Sequence, residues 1–173
     1  MDHALTHSGR RGAIAAIAVL AVAAIGLAGC TEASEPASTA ADGAPSAVAL
    51  TDYAAVEIAT RDAANAVVAA ADADAVLAAW PALETAVAAD EAALADLTAA
   101  ASGACRDALD QYAEVEADEH AALTAIKSAA DQRDAGALAD AVTAYRTFTD
   151  SPEVTNADAA LESACGLTVS QTP

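Results

Sequence analysis

The stretch VLAAWPALETAVAADEAALADL, residues 76–97, carries the clearest pattern in the chain. Its heptad positions recur at alternating spacings of four and three residues, which is typical of a helix that buries one stripe of its surface. These positions are Val76, Trp80, Leu83, Val87, Asp90, Leu94 and Leu97. Proline removes one backbone hydrogen bond from a helix, but the repeat continues through Pro81. The pattern therefore predicts a kinked helix or two coaxial pieces, without a change of direction.

Helical patterns also fill the rest of the chain after Val48, and from that residue onward the sequence has no strand or hairpin signal. We predict further helices over about 51–71, 104–130, 134–149 and 157–165, with Asn156 capping the last one and Gly166 ending it. Short connections between helices favour antiparallel neighbours. The predicted fold class is all-α, an up-down four-helix bundle whose last helix is broken near residues 150–153.

The N-terminal segment has the layout of an export signal. Two arginines at residues 10–11 precede an apolar run over residues 13–27, which ends in Leu27-Ala28-Gly29-Cys30. About 15 apolar residues are too few to cross a bilayer, which takes about 20. The ending resembles the lipobox of bacterial lipoproteins, and the alanine- and aspartate-rich composition is similar to that of actinobacterial proteins. The resemblance implies that Cys30 carries diacylglycerol and that the signal is removed just before it.

These expectations divide the chain into three parts: 1–29 as a signal peptide, 30–47 as the lipidated cysteine with a disordered tether, and 48–173 as an acidic helical-bundle domain. The expected location is the extracytoplasmic face of the cell membrane, held by the lipid anchor. The arginine pair is also similar to a twin-arginine signal, so both export routes stay open. A hydrophobic helix that happens to end in cysteine is the other interpretation.

The charge of the chain excludes one class of partner. Lys and Arg number 7 and Asp and Glu number 26, which gives a formal net charge of −19. Such a surface repels nucleic acid and anionic lipid headgroups. Aromatic residues make up only 3% of the chain, so the core has to be thin, with helices packed closely over alanine.

Two cysteines, Cys105 and Cys165, remain once Cys30 is assigned to the lipid. In an oxidising compartment an even pair is typical of a disulfide. A thiol redox pair or a metal site is the alternative, and neither has the C-x-x-C spacing usual for it. The predicted helix lengths independently bring the two cysteines to the same level of the bundle.

Several acidic residues occupy positions that ordinarily face a core. Asp90 lies in the middle of the 76–97 repeat, and Glu116 and Glu119, with His120 beside them, lie in the middle of the next helix. Counted from the break at Ser102-Gly103, the two groups stand at about the same height in an antiparallel pair. Glu57 and the break at 150–153 are expected near that level as well.

Carboxylates that face inward at one level need water, protons or a cation. Asp90, Glu116, Glu119 and His120 are therefore candidate ligands of a divalent cation. The alternative is a small rotation of the helices that turns Val115 and Ala122 to the core and the acids to water.

The sequence gives no support to a catalytic site. A ferritin-like di-iron centre needs two Glu-x-x-His pairs, and after residue 29 the only histidine in the sequence is His120. The same count argues against three-histidine zinc sites, and neither a nucleophile elbow nor a glycine-rich phosphate loop occurs. We therefore expect a protein that is not an enzyme, with no catalytic residues and no cofactor other than a divalent cation.

The aromatic residues Trp80, Tyr53, Tyr112 and Tyr145 lie on heptad faces, which predicts core packing, with a ligand pocket as the alternative. Buried tyrosine hydroxyls need partners, and the inward carboxylates are suitable ones. The expected function is a lipid-anchored binding or structural module that presents a helix face to another envelope protein or a small ligand. A divalent-cation-binding lipoprotein is the alternative.

Overall fold

The computed structural model describes residues 43–168, and within this range the chain forms helices and no strands. The helices are α1 Ala47–Val68, α2 Ala73–Ala100, α3 Gly103–Asp131, α4 Ala135–Thr149 and α5 Pro152–Cys165. The predicted all-α class and the helical bundle are confirmed. The signal segment, Cys30 and most of the predicted tether lie outside the described residues. None of the described helices is both long and apolar enough to span a membrane.

Helix α2 carries the heptad stretch and runs through Pro81 as one continuous helix. It begins where a carboxylate oxygen of Asp72 accepts a hydrogen bond from the Ala75 N–H at 2.9 Å, the usual role of an N-cap aspartate. Pro81 itself is exposed to solvent, while Trp80 and Leu83 on either side of it are buried. The heptad face therefore stays buried on both sides of the proline, and the alternative of two separate pieces is wrong.

Two helices begin earlier than predicted, each because a serine caps it. The Ser46 Oγ accepts a hydrogen bond from the Ala49 N–H at 3.2 Å, so α1 begins at Ala47 rather than near residue 51. The Ser151 Oγ accepts one from the Val154 N–H at 3.4 Å, and α5 begins at Pro152.

Proline is well tolerated as the first residue of a helix, because the N–H that it lacks has no partner there. The predicted start at residue 157, with Asn156 as the cap, is therefore wrong, since Asn156 lies inside α5. Gly166 ends α5 as predicted, with a positive φ of 70°.

The residues before α1 pack against the turn between α2 and α3. The Gly43 carbonyl accepts a hydrogen bond from the Ser102 N–H at 2.9 Å. Gly43 has a φ of 92°, and a Cβ atom there would lie 2.4 Å from the Ser102 carbonyl oxygen. Glycine is therefore required at this point both by the backbone conformation and by the close approach.

Helix α3 is central to the packing. Helix α1 packs on α2, α2 packs on α3, and both α4 and α5 pack on α3. The predicted disulfide between Cys105 and Cys165 is confirmed, with a Cα–Cα distance of 4.9 Å. It joins the first turn of α3 to the last residue of α5, so the end of the short fifth helix is fixed to the start of α3.

The hydrophobic core consists of two separate clusters. The first gathers side chains near the disulfide, with Tyr53, Leu97, Leu109 and Leu161 among its members. The second lies toward the α3–α4 turn, with Val67, Trp80, Leu83 and Ile126 among its members. On each of α1, α2 and α3 an acidic residue stands between the positions that belong to the two clusters. A polar layer therefore divides the core, and this layer is the candidate site.

Candidate functional site

Three carboxylates meet in the polar layer, one from each of the first three helices. Glu57 from α1, Asp90 from α2 and Glu116 from α3 each offer one oxygen, and these oxygens all lie within 4.8 Å of one another. Glu57 and Asp90 are each only 3% exposed, while Glu116 is half-buried. The three residues are called the carboxylate cluster below.

Two tyrosines place their hydroxyls beside the carboxylate cluster. Tyr53 precedes Glu57 by one helical turn on α1, and Tyr112 precedes Glu116 by one turn on α3. Both rings are buried, and neither hydroxyl makes a hydrogen bond of ordinary geometry to a described group. They are nevertheless close enough to Asp90 and Glu116 to interact with these carboxylates electrostatically.

Asp90 has an oxygen of its own without a hydrogen bond: its buried Oδ1 has no partner among the described residues. A buried polar atom left in this state costs about 1–3 kcal/mol, and more when it is charged. The Tyr53 and Tyr112 hydroxyls interact electrostatically with carboxylates of the same cluster. The layer therefore has coordinating capacity that hydrogen bonds of ordinary geometry do not satisfy.

One arginine supplies positive charge to the layer. The Arg61 Nε donates a hydrogen bond to the Glu57 Oε1 at 2.7 Å, one turn along α1. Glu119 lies next to the cluster and accepts a hydrogen bond from the Tyr145 hydroxyl of α4 at 2.6 Å. One guanidinium thus faces four carboxylates, so the layer keeps an excess of negative charge unless protons or a cation enter it.

The protonation of the cluster reflects this excess. Burial raises the pKa of Asp90 to about 7, and the neighbouring carboxylates of Glu57 and Glu119 add to the rise. Burial likewise raises the pKa of Glu116 to about 9, with Glu57 and Glu119 again contributing. Burial also raises the pKa of Glu57, although the Arg61 guanidinium opposes part of that rise. Without a cation, the cluster therefore holds protons at neutral pH.

The cluster is bordered by two cavities. A small one of about 90 Å³ lies among α1, α2 and α3, and its lining includes Glu57, Asp90 and Glu116. A larger cleft of about 430 Å³ lies among α1, α3, α4 and α5. Glu116, Glu119 and Arg61 line both of them, so ions and small molecules can approach the polar layer from either side.

The four predicted ligands have different surroundings. Asp90 and Glu116 belong to the carboxylate cluster, whereas Glu119 is held by Tyr145 at its edge. His120 is 39% exposed at the outer edge of the small cavity, where its Nδ1 lies 3.7 Å from the Glu91 Oε1. The protein thus brings Asp90 and Glu116 together with Glu57. The sequence predicted that Glu57 lies near their level in the bundle, but it did not predict Glu57 as a ligand.

The orientation of α3 lies between the two interpretations of its sequence. Val115 is buried, as the rotated alternative requires, and yet Glu116 and Glu119 are half-buried rather than turned to water. The expected hydrogen bonding of tyrosine hydroxyls to inward carboxylates is confirmed for Tyr145 and Glu119. Arg61 was not singled out from the sequence, although its position one turn after Glu57 is the usual spacing of a helical ion pair.

The donor set of the cluster suits a hard divalent cation. Carboxylate oxygens are the preferred ligands of Ca²⁺, at about 2.3–2.6 Å. Oxygens within 4.8 Å of one another can therefore share one such ion placed between them. The ion would also offer a partner to the Asp90 Oδ1, which has none in the described structure.

Comparison with known proteins gives no family to which the chain can be assigned. Neither the protein-family models, nor the curated protein sequences, nor the solved structures contain a significant match to it.

Proposed function

We propose that this protein is a membrane-anchored, extracytoplasmic lipoprotein whose helical domain binds a hard divalent cation through Glu57, Asp90 and Glu116. The observation that carries the proposal is the meeting of three carboxylate oxygens within 4.8 Å inside the bundle. The buried Asp90 Oδ1, which makes no hydrogen bond of ordinary geometry, and the equally unsatisfied Tyr53 hydroxyl near it support the proposal.

The competing account of the cluster is purely structural, with protons alone balancing the buried acids. Both accounts neutralise the same carboxylates. They differ in one measurable property, because only a cation site makes the stability of the domain depend on added metal. Binding at a ligand concentration of 100 times Kd stabilises a folded protein by about 2.7 kcal/mol. In a domain of this size, that raises Tm by roughly 5–10 °C.

The test is a thermal melt of the chelator-treated full chain with calcium, manganese or magnesium chloride added. We expect calcium or manganese to raise Tm, and the Asp90→Asn, Glu116→Gln double variant to abolish the rise. The matched control is Asp96→Asn with Glu114→Gln, which removes two exposed carboxylates from the same two helices. If no divalent ion changes Tm, or if the cluster variant responds like the control, the cation proposal fails.

A second candidate function is binding of a small organic ligand or another envelope protein. The 430 Å³ cleft favours the small ligand, because binding sites for such molecules typically measure about 300–1,000 Å³. The polar layer offers carboxylates, tyrosine hydroxyls and a guanidinium, and we infer a binding protein rather than an enzyme from this set.

The membrane location is inferred from the sequence, through the lipobox that ends in Cys30. Two acyl chains anchor a protein stably where one does not, since each buried CH₂ contributes roughly 0.8 kcal/mol. Changing Cys30→Ala is expected to move the protein from the membrane fraction to the soluble fraction. If the variant stays with the membranes, the lipoprotein assignment is wrong.

We also infer that the helices follow an up-down bundle in which α4 and α5 together occupy the fourth position. The short connections of the chain and the packing of both helices on α3 support this arrangement. The disulfide from the start of α3 to the end of α5 supports it further, because antiparallel helices bring those two ends together.

A further inference from the structure

The larger cleft has the dimensions and walls of a binding site for a small molecule. It measures about 430 Å³ and lies where α1 faces α3 and the junction of α4 and α5. Val68, Val115 and Val154 line it with apolar surface, and the aromatic residues Tyr112 and Tyr145 line it as well. Apolar and aromatic walls of this kind favour an organic ligand over a bare metal ion, which requires oxygen ligands on most sides.

The charged residues that line the cleft favour a cationic ligand. Four acidic residues line the cleft, Glu116, Glu119, Asp150 and Asp158, together with two arginines, Arg61 and Arg146. Burial raises the pKa of Glu116 to about 9, so this residue adds no negative charge to the metal-free cleft at neutral pH. The Arg61 guanidinium forms an ion pair with Glu57, which does not line the cleft, and it also interacts with Tyr112 and Asp158, which do. The remaining excess is negative, and the whole chain carries a formal net charge of −19. A cation is therefore attracted to this cleft and an anion is repelled.

The inner end of the cleft has a buried hydroxyl without a hydrogen bond of ordinary geometry. Tyr112 is only 1% exposed, and its hydroxyl lies close to Glu116 and Arg61 without forming such a bond to either. Burial raises the pKa of this hydroxyl, and the nearby carboxylate of Glu116 raises it further. An ammonium group provides three donors, which suit the oxygens of Tyr112, Glu116 and Glu119 together.

We propose that this cleft binds a small organic cation, a primary alkylammonium ion, with its ammonium group at Tyr112, Glu116 and Glu119. The alkyl chain lies along Val68, Val115 and Val154, and the Tyr145 ring contributes a cation–π contact. A second ammonium group at the other end of the chain would meet Asp150 near the α4–α5 junction. A short diamine therefore binds more tightly than a monoamine of the same length.

The test is isothermal titration of the full chain with butane-1,4-diamine, n-butylamine and sodium butyrate. It is made in chelator, so that its result does not depend on the metal site, and at about 0.15 M salt, which screens weak binding to the acidic surface. We expect saturable binding of the diamine, weaker binding of the monoamine and none of the carboxylate. Binding of butyrate without the amines, or linear heats from all three, would overturn the proposal.

Two variants locate the binding. Glu119→Gln keeps the shape of the side chain and removes its charge, and we expect it to weaken diamine binding at least tenfold. Asn65→Trp places a large ring at an exposed position of α1 that lines the cleft, and we expect it to abolish binding. Its control is Ala66→Trp, the next exposed residue of α1, which does not line the cleft. Equal losses in the two tryptophan variants, or full binding by Asn65→Trp, would contradict the assignment.

Discussion

Asp90 shows how a single buried acid links the stability of this protein to pH. Its pKa is raised from 3.8 to about 7, chiefly by burial, and that of Glu116 is raised from 4.5 to about 9 for the same reason. A group whose pKa is higher in the folded state binds protons more tightly there than in the unfolded chain. Its contribution to stability is therefore present below its unfolded pKa and is lost as the pH rises through its folded pKa.

The first prediction is that the metal-free protein unfolds more easily at pH 8 than at pH 5. Between these values the unfolded chain has already released protons that Asp90 and Glu116 still hold in the folded state. Denaturant unfolding in chelator at several pH values measures the slope. Asp90→Asn should flatten the slope and stabilise the protein at pH 8, whereas Asp96→Asn at an exposed position should leave it unchanged. Stability that rises from pH 5 to pH 8 would contradict the inferred protonation.

A second prediction compares two buried tyrosines whose hydroxyls have different partners. The Tyr145 hydroxyl donates to Glu119 at 2.6 Å, while the Tyr53 hydroxyl makes no hydrogen bond of ordinary geometry. A hydrogen bond to a charged group contributes about 1.5–3 kcal/mol. Tyr145→Phe should therefore lower the free energy of unfolding by about that amount.

Tyr53→Phe is the matched control, and it should leave the free energy of unfolding unchanged or raise it slightly. Chemical denaturation of both variants in the absence of metal gives the comparison. Equal losses of unfolding free energy in the two variants would contradict the prediction, because they would mean that both hydroxyls make hydrogen bonds of similar strength.

At the scale of the helix, the two prolines of the described helices occupy opposite kinds of position. Pro81 lies inside α2 with its ring exposed, and Pro152 is the first residue of α5. A proline in a helix interior costs about 3 kcal/mol relative to alanine, whereas at the first position it costs almost nothing. The continuity of α2 therefore depends on the burial of its heptad face on both sides of Pro81.

The third prediction follows from this contrast. Pro81→Ala should raise the free energy of unfolding by about 1–3 kcal/mol, since it restores a backbone hydrogen bond and touches no buried side chain. Pro152→Ala should give no gain. Thermal melts of the two single variants are sufficient. If Pro81→Ala destabilises the protein, the proline is serving the packing of α2 in a way that its exposure does not indicate.

At the scale of the whole molecule, the disulfide between Cys105 and Cys165 compensates for a core that a polar layer divides. It closes a chain segment with a sequence separation of 60 residues. The chain-entropy model gives roughly 4 kcal/mol for a loop of about this length. Because α5 is short and packs on α3, this covalent link provides a large part of what holds it in place.

The fourth prediction is that a reducing agent lowers Tm strongly and exposes α5 before the other helices. Hydrogen exchange with and without reductant measures the order of opening, and α5 should lose protection first. A Cys105→Ala, Cys165→Ala double variant should behave like the reduced protein. A thiol assay on the unfolded, unreduced chain should find no free thiol from these two residues, and finding one would remove the basis for this prediction.

Much of the helical architecture could be predicted from the sequence, because helices follow from local periodicity. The heptad of α2 predicted its buried face, including Asp90, and the confirmed disulfide followed from the number and context of the cysteines. The errors were at the helix ends, near residues 51 and 157. At each of these two helix starts a serine hydroxyl is the N-cap. Other residues that can cap a helix lie only a few positions away, so the sequence did not identify the correct one.

Tertiary packing alone decided which acids meet. The rotation of α3 could not be predicted from its sequence, because alanines occur on several sides of the helix and no single face is clearly the core face. Packing buried Val115, left Glu116 in the layer, gave Glu119 to Tyr145 and left His120 beside Glu91 at the surface. Period and composition thus determined the helices of this protein and their acidic character. The carboxylate cluster arose only when three helices brought Glu57, Asp90 and Glu116 to one height, since distances between helices are not encoded in any single one of them.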